Sequence, residues 1–148
     1  MKIAIMQPYF IPYIGYFELI NEVDIFVFLN DVQFIRRGWI NRNKIRSKDK
    51  DFQYLTIPTF KAKQQENIKN IKMIKGWSGS VLRTINHTFK DKNQTINDMI
   101  CEMDNQELIS EALMYSIKKL SRYLGIKCLF KSSTGISSNK RENKIIDI

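Results

Sequence analysis

Residues 1–45, MKIAIMQPYFIPYIGYFELINEVDIFVFLNDVQFIRRGWINRNKI, decide the fold class. They spell a short apolar strand over residues 2–6, a loop holding Pro8 and Pro12, a helix over residues 13–21 and a second apolar strand over residues 24–29. Proline fixes φ and removes a backbone donor, so regular structure resumes only after Pro12. In the helix, Ile14, Phe17 and Ile20 recur at the spacing of one inward face. Strand, loop, helix, strand is how a parallel α/β sheet begins, and ligands of such sheets lie beyond the carboxyl ends of the strands. Two polar loops, residues 7–13 and 30–43, leave the sheet at that end, so the sequence proposes a site there.

Outward from this stretch, FQYLTI at residues 52–57 reads as a third strand, closed by Pro58. Residues 61–76 carry Ile68, Ile71 and Ile74 at helical spacing, yet the β-branched run over residues 68–74 favours an edge strand. Ser78 or Ser80 is placed to cap a helix over residues 81–89 whose apolar face is Val81, Leu82, Ile85 and Phe89. A long helix over residues 105–124 directs Leu108, Ala112, Tyr115, Leu120 and Leu124 inward and stops at Gly125. A strand over residues 126–130, a Ser/Gly-rich loop over residues 132–139 and a helix opening at residue 140 complete the pattern. Residues 144–148 read as the start of an amphipathic helix, so the expectation is one α/β domain over residues 1–148 that lacks its C-terminal segment. A sheet edge left bare in this way would favour a homo-oligomer.

The 148 residues are 43% hydrophobic and 26% charged, as soluble globular chains are. No apolar run approaches the ~20 residues of a membrane helix. Gln7 and Pro8 interrupt the first apolar run, which excludes a secretory signal and places the chain in the cytoplasm with no membrane partner. Cys101 and Cys128 lack metal-ligand spacing, and with a single histidine, His87, no metal site is expected; both thiols read as buried. The net charge of +9 comes from scattered lysines and reads as a solvated surface. A nucleic-acid groove needs basic and aromatic residues on one surface, and the basic stretch 36–46 reads as one loop, so nucleic acid ranks last among partners.

The candidate binding residues follow from the two loops. Gln7 follows the first strand and offers an amide to a sugar hydroxyl. Tyr13 and Tyr16 flank Gly15 at a helix start, where free N–H groups and the dipole favour a phosphate. Arg36, Arg37 and Arg42, with Asn41 and Asn43, form the densest array of donors, and guanidinium groups clamp phosphates bidentately. Trp39 among them is placed either to stack on a ring or to anchor the loop to the core. Asp31 and Gln33, after the second strand, are the candidates for chemistry: a carboxylate there takes a proton from an attacking amine. Ser132, Ser133, Ser137 and Ser138, with Lys131 and Lys140, read as a solvated loop, and a phosphate-gripping lid is the sharper alternative. The expected partner is a small anionic ligand such as a sugar nucleotide.

The same residues resemble the WbqC-like protein family. The matching blocks are Met6-Gln7-Pro8-Tyr9-Phe10-Ile11-Pro12-Tyr13-Ile14-Gly15-Tyr16-Phe17, then Asp24, Asn30-Asp31-Val32-Gln33-Phe34 and Arg37-Gly38-Trp39-Ile40-Asn41-Arg42-Asn43. Shorter matches follow at Trp77, Leu124-Gly125-Ile126, Ser132-Ser133 and Lys144-Ile145-Ile146-Asp147-Ile148. Where the family pattern carries a basic residue and a histidine after the tryptophan, this chain has Ser80-Val81. The resemblance implies an accessory enzyme of surface-polysaccharide and O-antigen biosynthesis. A more distant resemblance is to pantothenate synthetase and nucleotidyltransferase-type Rossmann folds, whose His-x-Gly-His motif sits at the place of residues 13–16, with Tyr13 and Tyr16 here in place of both histidines. Asn30-Asp31-Val32-Gln33-Phe34 is similar to the Asn-Pro-x-Gln-Phe loop of that enzyme. That resemblance implies activation of a carboxylate by ATP, the one cofactor it brings forward.

Together these readings predict a Rossmann-like α/β fold, a mostly parallel sheet flanked by helices. They predict a transferase or amide ligase that modifies an amino sugar or sugar nucleotide by acyl or aminoacyl transfer. A non-catalytic module that binds a nucleotide or sugar phosphate is the alternative, and a basic nucleic-acid-binding protein the second alternative.

Overall fold

The computed structural model describes residues 1–46, 51–89 and 93–134. The helix expected from residue 140, and Ser137, Ser138 and Lys140 with it, lie outside the described residues. Strand β1 (Ile3–Met6) leads through the Pro8–Pro12 loop into helix α1 (Ile14–Asn21) and strand β2 (Ile25–Phe28). A hairpin of β3 (Arg42–Ile45) and β4 (Gln53–Thr56) follows, then a 3₁₀ turn (Ile68–Asn70). Helices α2 (Ser78–Thr88), α3 (Gln94–Asp104) and α4 (Ile109–Tyr123) precede strand β5 (Leu129–Ser132).

The fold is α/β, with a three-stranded parallel sheet in the order β1-β2-β5. Ala4, Phe26 and Phe130 stand in register across it, as do Met6, Phe28 and Ser132. Successive residues of a strand face opposite ways, so these side chains share one face. On it lie Tyr16, Phe17 and Ile20 of α1 and Ile117 of α4. Phe28 stacks on Phe130 at 5.5 Å between centroids, and Tyr16 tilts against Phe26 at 5.4 Å. Each such ring pair adds about 0.5–1.5 kcal/mol beyond area burial. The opposite face carries Ile3, Ile25 and Leu129 in register around a buried Val27, and Leu129 remains 56% exposed.

A second core joins the hairpin to α2, α3 and α4 through Phe10, Leu55, Ile57, Val81, Met99, Ile100 and Leu113. Tyr9 and Leu120 touch both cores. Asp104, at the end of α3, caps α2: Gly76 and Ser78 donate backbone N–H groups to its carboxylate at 3.0 and 3.1 Å, and the Ser78 hydroxyl donates at 2.8 Å. A carboxylate from another helix thus satisfies donors that a helix leaves open at its start.

Several expectations are corrected. Ile14 is exposed, and Tyr16 takes its place inside. Residues 68–74 form no strand: a 3₁₀ turn is followed by single bridges from Met73 to Thr59 and from Lys72 to Leu108. Helix α2 starts at Ser78 with Trp77 at its N-cap, so neither Ser78 nor Ser80 caps it, and Phe89 beyond its end is exposed. Helix α4 starts at Ile109 rather than at residue 105, and it buries Ile109, Ser110, Ala112, Leu113, Ser116, Ile117 and Ser121, while Leu124 is exposed. Strand β5 lies later than residues 126–130, so Ser132 belongs to the sheet and Ser133 is fully buried. Cys101 is exposed, and Cys128 is half-buried, with burial raising its thiol pKa. Among the described residues no helix is long and apolar enough to cross a membrane.

Candidate functional site

Parallel pairing of β1 with β2 brings both polar loops to one end of the sheet, and two contacts then join them. The Phe10 N–H donates to the Trp39 carbonyl at 2.9 Å. The Asn43 side-chain amide donates to the carbonyls of Phe10 at 3.0 Å and Ile11 at 2.5 Å. Ile11 has φ 46°, a left-handed conformation that is an outlier for a β-branched residue and that here persists under these two bonds.

Between the joined loops opens a cleft of about 610 Å³, lined by Met6, Tyr9, Pro12, Tyr13, Trp39, Asn43 and Lys44. Its walls are aromatic and its polar groups few, which is the usual make-up of a small-molecule site. Tyr13 is 65% exposed and Trp39 51% exposed, so both rings are open to a ligand. The Tyr13 ring folds back over the helix start: a Cβ added at Gly15 would lie 2.6 Å from Tyr13 Cε2. Gly15 therefore makes room for Tyr13 rather than for a ligand.

The other candidates lie elsewhere. Tyr16, placed by its sequence context at the ligand, is fully buried; its hydroxyl donates to the Gln7 carbonyl at 2.9 Å. Burial, and then the nearby Tyr9, raise its pKa far above the ordinary value. Gln7 is half-buried and follows Met6 out of the strand. Asp31 is buried and accepts from the Ser133 hydroxyl at 2.7 Å, while the same hydroxyl accepts from the Asn30 N–H at 3.2 Å. Ser132 and Thr134 donate to Asn30 Oδ1 at 3.0 and 2.8 Å. These bonds tie the exit of β2 to the exit of β5, so Asp31 sits in a structural knot and does not line the cleft. Gln33 is exposed and bridges to Asn67. Asn41 is buried, its amide donating to Ile57 O at 3.2 Å. Arg36 is exposed outside the cleft, and His87 is exposed on α2. Among the described residues no group of three His, Cys, Asp or Glu stands where it could hold a metal.

Arg37, in the loop before β3, and Arg42, at the start of β3, gather beside the cleft. The Arg42 guanidinium lies 4.2 Å from the Tyr54 ring centroid and donates to the Arg37 carbonyl at 2.6 Å. Tyr9, Lys44 and Tyr54 are site residues that sequence reasoning missed. The signal for the last two lay in β3 and β4: once residues 42–45 are a strand, Arg42 and Lys44 share a face and Tyr54 stands opposite Lys44.

A stretch of 57 residues is 44% identical to the protein named "Uncharacterized protein Rv1507c" of Mycobacterium tuberculosis (strain ATCC 25618 / H37Rv), covering 38% of this chain and 24% of that one. The match thus spans about a quarter of the length of this curated relative. No solved structure matches. The model of the WbqC-like protein family matches residues 7–148, nearly the whole chain. The protein therefore belongs to the WbqC-like protein family.

Proposed function

We propose that the cleft takes a sugar nucleotide and that the protein modifies its amino sugar by acyl or aminoacyl transfer, as a step of surface-polysaccharide biosynthesis. The observation that carries this reading is the cleft itself, at the carboxyl end of β1, with Tyr9, Tyr13 and Trp39 as ring-stacking walls and Asn43 and Lys44 as polar anchors. In the reaction the sugar amine attacks the carbonyl of an activated acyl donor, the N–C bond forms, and the donor's leaving group departs with its electron pair. The amine proton passes to a base. Asp31 enters this reading only through the fold: buried against Ser133, it ties the exits of β2 and β5 together. The test is a titration and turnover screen of the chain against sugar nucleotides, with and without ATP and free amino acids. Binding with turnover supports the reading. Binding without turnover points to a non-catalytic module, and failure of every sugar nucleotide to bind overturns both.

A second reading rests on the hairpin face. Arg42 lies over Tyr54, and Lys44 over Phe52 at 4.7 Å, so cations and exposed rings alternate on one surface after all. Single-stranded nucleic acids bind such surfaces by stacking and phosphate contact. That reading requires affinity for single strands that falls steeply with salt; a filter-binding titration in rising salt decides it.

A further inference from the structure

Beside the cleft the hairpin holds a smaller hollow of about 220 Å³, lined by Arg37, Gly38, Trp39, Arg42, Lys44 and Tyr54. Trp39 and Lys44 line both cavities. Half of the hollow's lining residues are cations, and none of the six is a carboxylate. Like charges lining one hollow repel, and an anion lying among them relieves that repulsion.

The hollow is also pre-shaped. The Arg42 guanidinium spends one donor on the Arg37 carbonyl and lies over the Tyr54 ring, so it is held in place while other donors remain for an oxygen ligand. Arg37 adopts φ 60°, the left-handed region, which a non-glycine residue occupies at a cost and which clusters at ligand clamps. Gly38 follows directly: a Cβ there would meet the Ile35 carbonyl at 3.2 Å. Lys44 stands two residues along β3 from Arg42, on the same face, and reaches the cleft from the hollow.

We infer that this hollow is a diphosphate subsite, and that the ligand is a nucleoside diphosphate sugar whose phosphates lie between Arg37, Arg42 and Lys44 while a ring attached to them rests on Trp39 in the cleft. The inference rests on the reading of the cleft given above and adds to it the chemical class and the placement of the charge. The aromatic wall shared by both cavities is the joint between the charged and uncharged halves of such a molecule. Arg36, one residue before Arg37, lines neither cavity and has no part in it.

The experiment titrates the full chain with inorganic pyrophosphate and, separately, with UDP-N-acetylglucosamine and dTDP-glucose, by calorimetry at fixed salt. Arg37→Gly removes a cation and relieves the left-handed strain together, so it keeps the fold. Arg42→Lys keeps the charge but loses the fork and the stack. Lys127→Ala, an exposed cation outside both cavities, is the control for net charge. Pyrophosphate binding weakened about tenfold or more by Arg37→Gly and by Arg42→Lys, unchanged in Lys127→Ala, with an equal loss for the sugar nucleotides, supports the subsite. Sugar-nucleotide binding indifferent to both arginine changes overturns the subsite and leaves the cleft reading standing. Pyrophosphate binding that depends on Arg37, with no sugar nucleotide bound more tightly, keeps the anion subsite and sinks the cleft reading. No binding of either probe overturns both.

Discussion

The side-chain amide of Asn43 lies 2.5 Å from the carbonyl oxygen of Ile11, a β-branched residue at φ 46°. One side chain of the hairpin therefore holds the strained corner of the loop that brings Tyr9 and Pro12 to the cleft. Asn43→Ala removes this bond and its partner to Phe10, and the expected loss is about 1–3 kcal/mol of stability at ~1 kcal/mol per net hydrogen bond. Asn43→Asp, of equal shape, costs at least as much, because a carboxylate facing two carbonyls repels them. Urea denaturation of the two variants measures this, and an Asn43→Asp variant as stable as the parent would refute it.

Gly15 and Tyr13 give a change that separates stability from binding. Gly15→Ala adds a Cβ where Tyr13 Cε2 stands 2.6 Å away, so the exposed Tyr13 ring must swing aside. Alanine favours a helix over glycine by about 1 kcal/mol. The melting temperature should hold or rise while affinity for the cleft's ligand falls, read by thermal melting and titration of the same sample.

Tyr16 makes the protein sensitive to alkali. Its folded pKa is raised above the ordinary 10.0, first by burial and then by Tyr9. The unfolded chain therefore loses this proton first. The contribution of Tyr16 is fully present below pH 10 and is lost as pH climbs beyond it, at up to about 1.4 kcal/mol per pH unit. Tyr16→Phe forfeits the bond to the Gln7 carbonyl, costing about 1 kcal/mol near neutrality, and flattens that alkaline fall. Stability measured from pH 8 to pH 11 compares the two slopes.

Asp104 and Ser133 are polar residues that hold elements together. Asp104→Ala strips three donors at the start of α2 of their acceptor and should cost about 2–4 kcal/mol, charged hydrogen bonds being the stronger kind. Ser133→Ala unpairs the Asn30 N–H and takes a donor from Asp31, with an expected cost of about 1–3 kcal/mol. Both should leave the ligand affinity of the folded fraction unchanged, because neither side chain lines the cleft. Denaturation midpoints and ligand titration check the pair.

The first strand, helix and second strand were readable because apolar pattern and proline punctuation agree there. The meeting of the two loops was readable too, since parallel pairing forces it. Strand β3 was hidden because Arg42-Asn43-Lys44-Ile45 carries almost no apolar alternation: its stability comes from pairing with β4 and from rings beneath its cations. Helix α3 had a visible signal in Ile96, Met99, Ile100 and Met103, spaced along one face. Helix α4 misled because Ser110, Ser116 and Ser121 point inward, and Ser116 can do so by donating to the Leu113 carbonyl. Within the site, residue type proposed an anion, but burial was invisible: Tyr13 and Tyr16 look alike in the sequence and occupy opposite environments.

The strand order has one more consequence. From β1 to β2 to β5 the chain advances in a single direction, and a right-handed connection made in that direction keeps its helix on the Phe26 side, where α1 and α4 lie. A strand joined beyond β1 would reverse the travel, and the same handedness would carry its connecting helix to the Val27 side. Ile3, Ile25 and Leu129 are the greasy floor on which such a helix would come to rest.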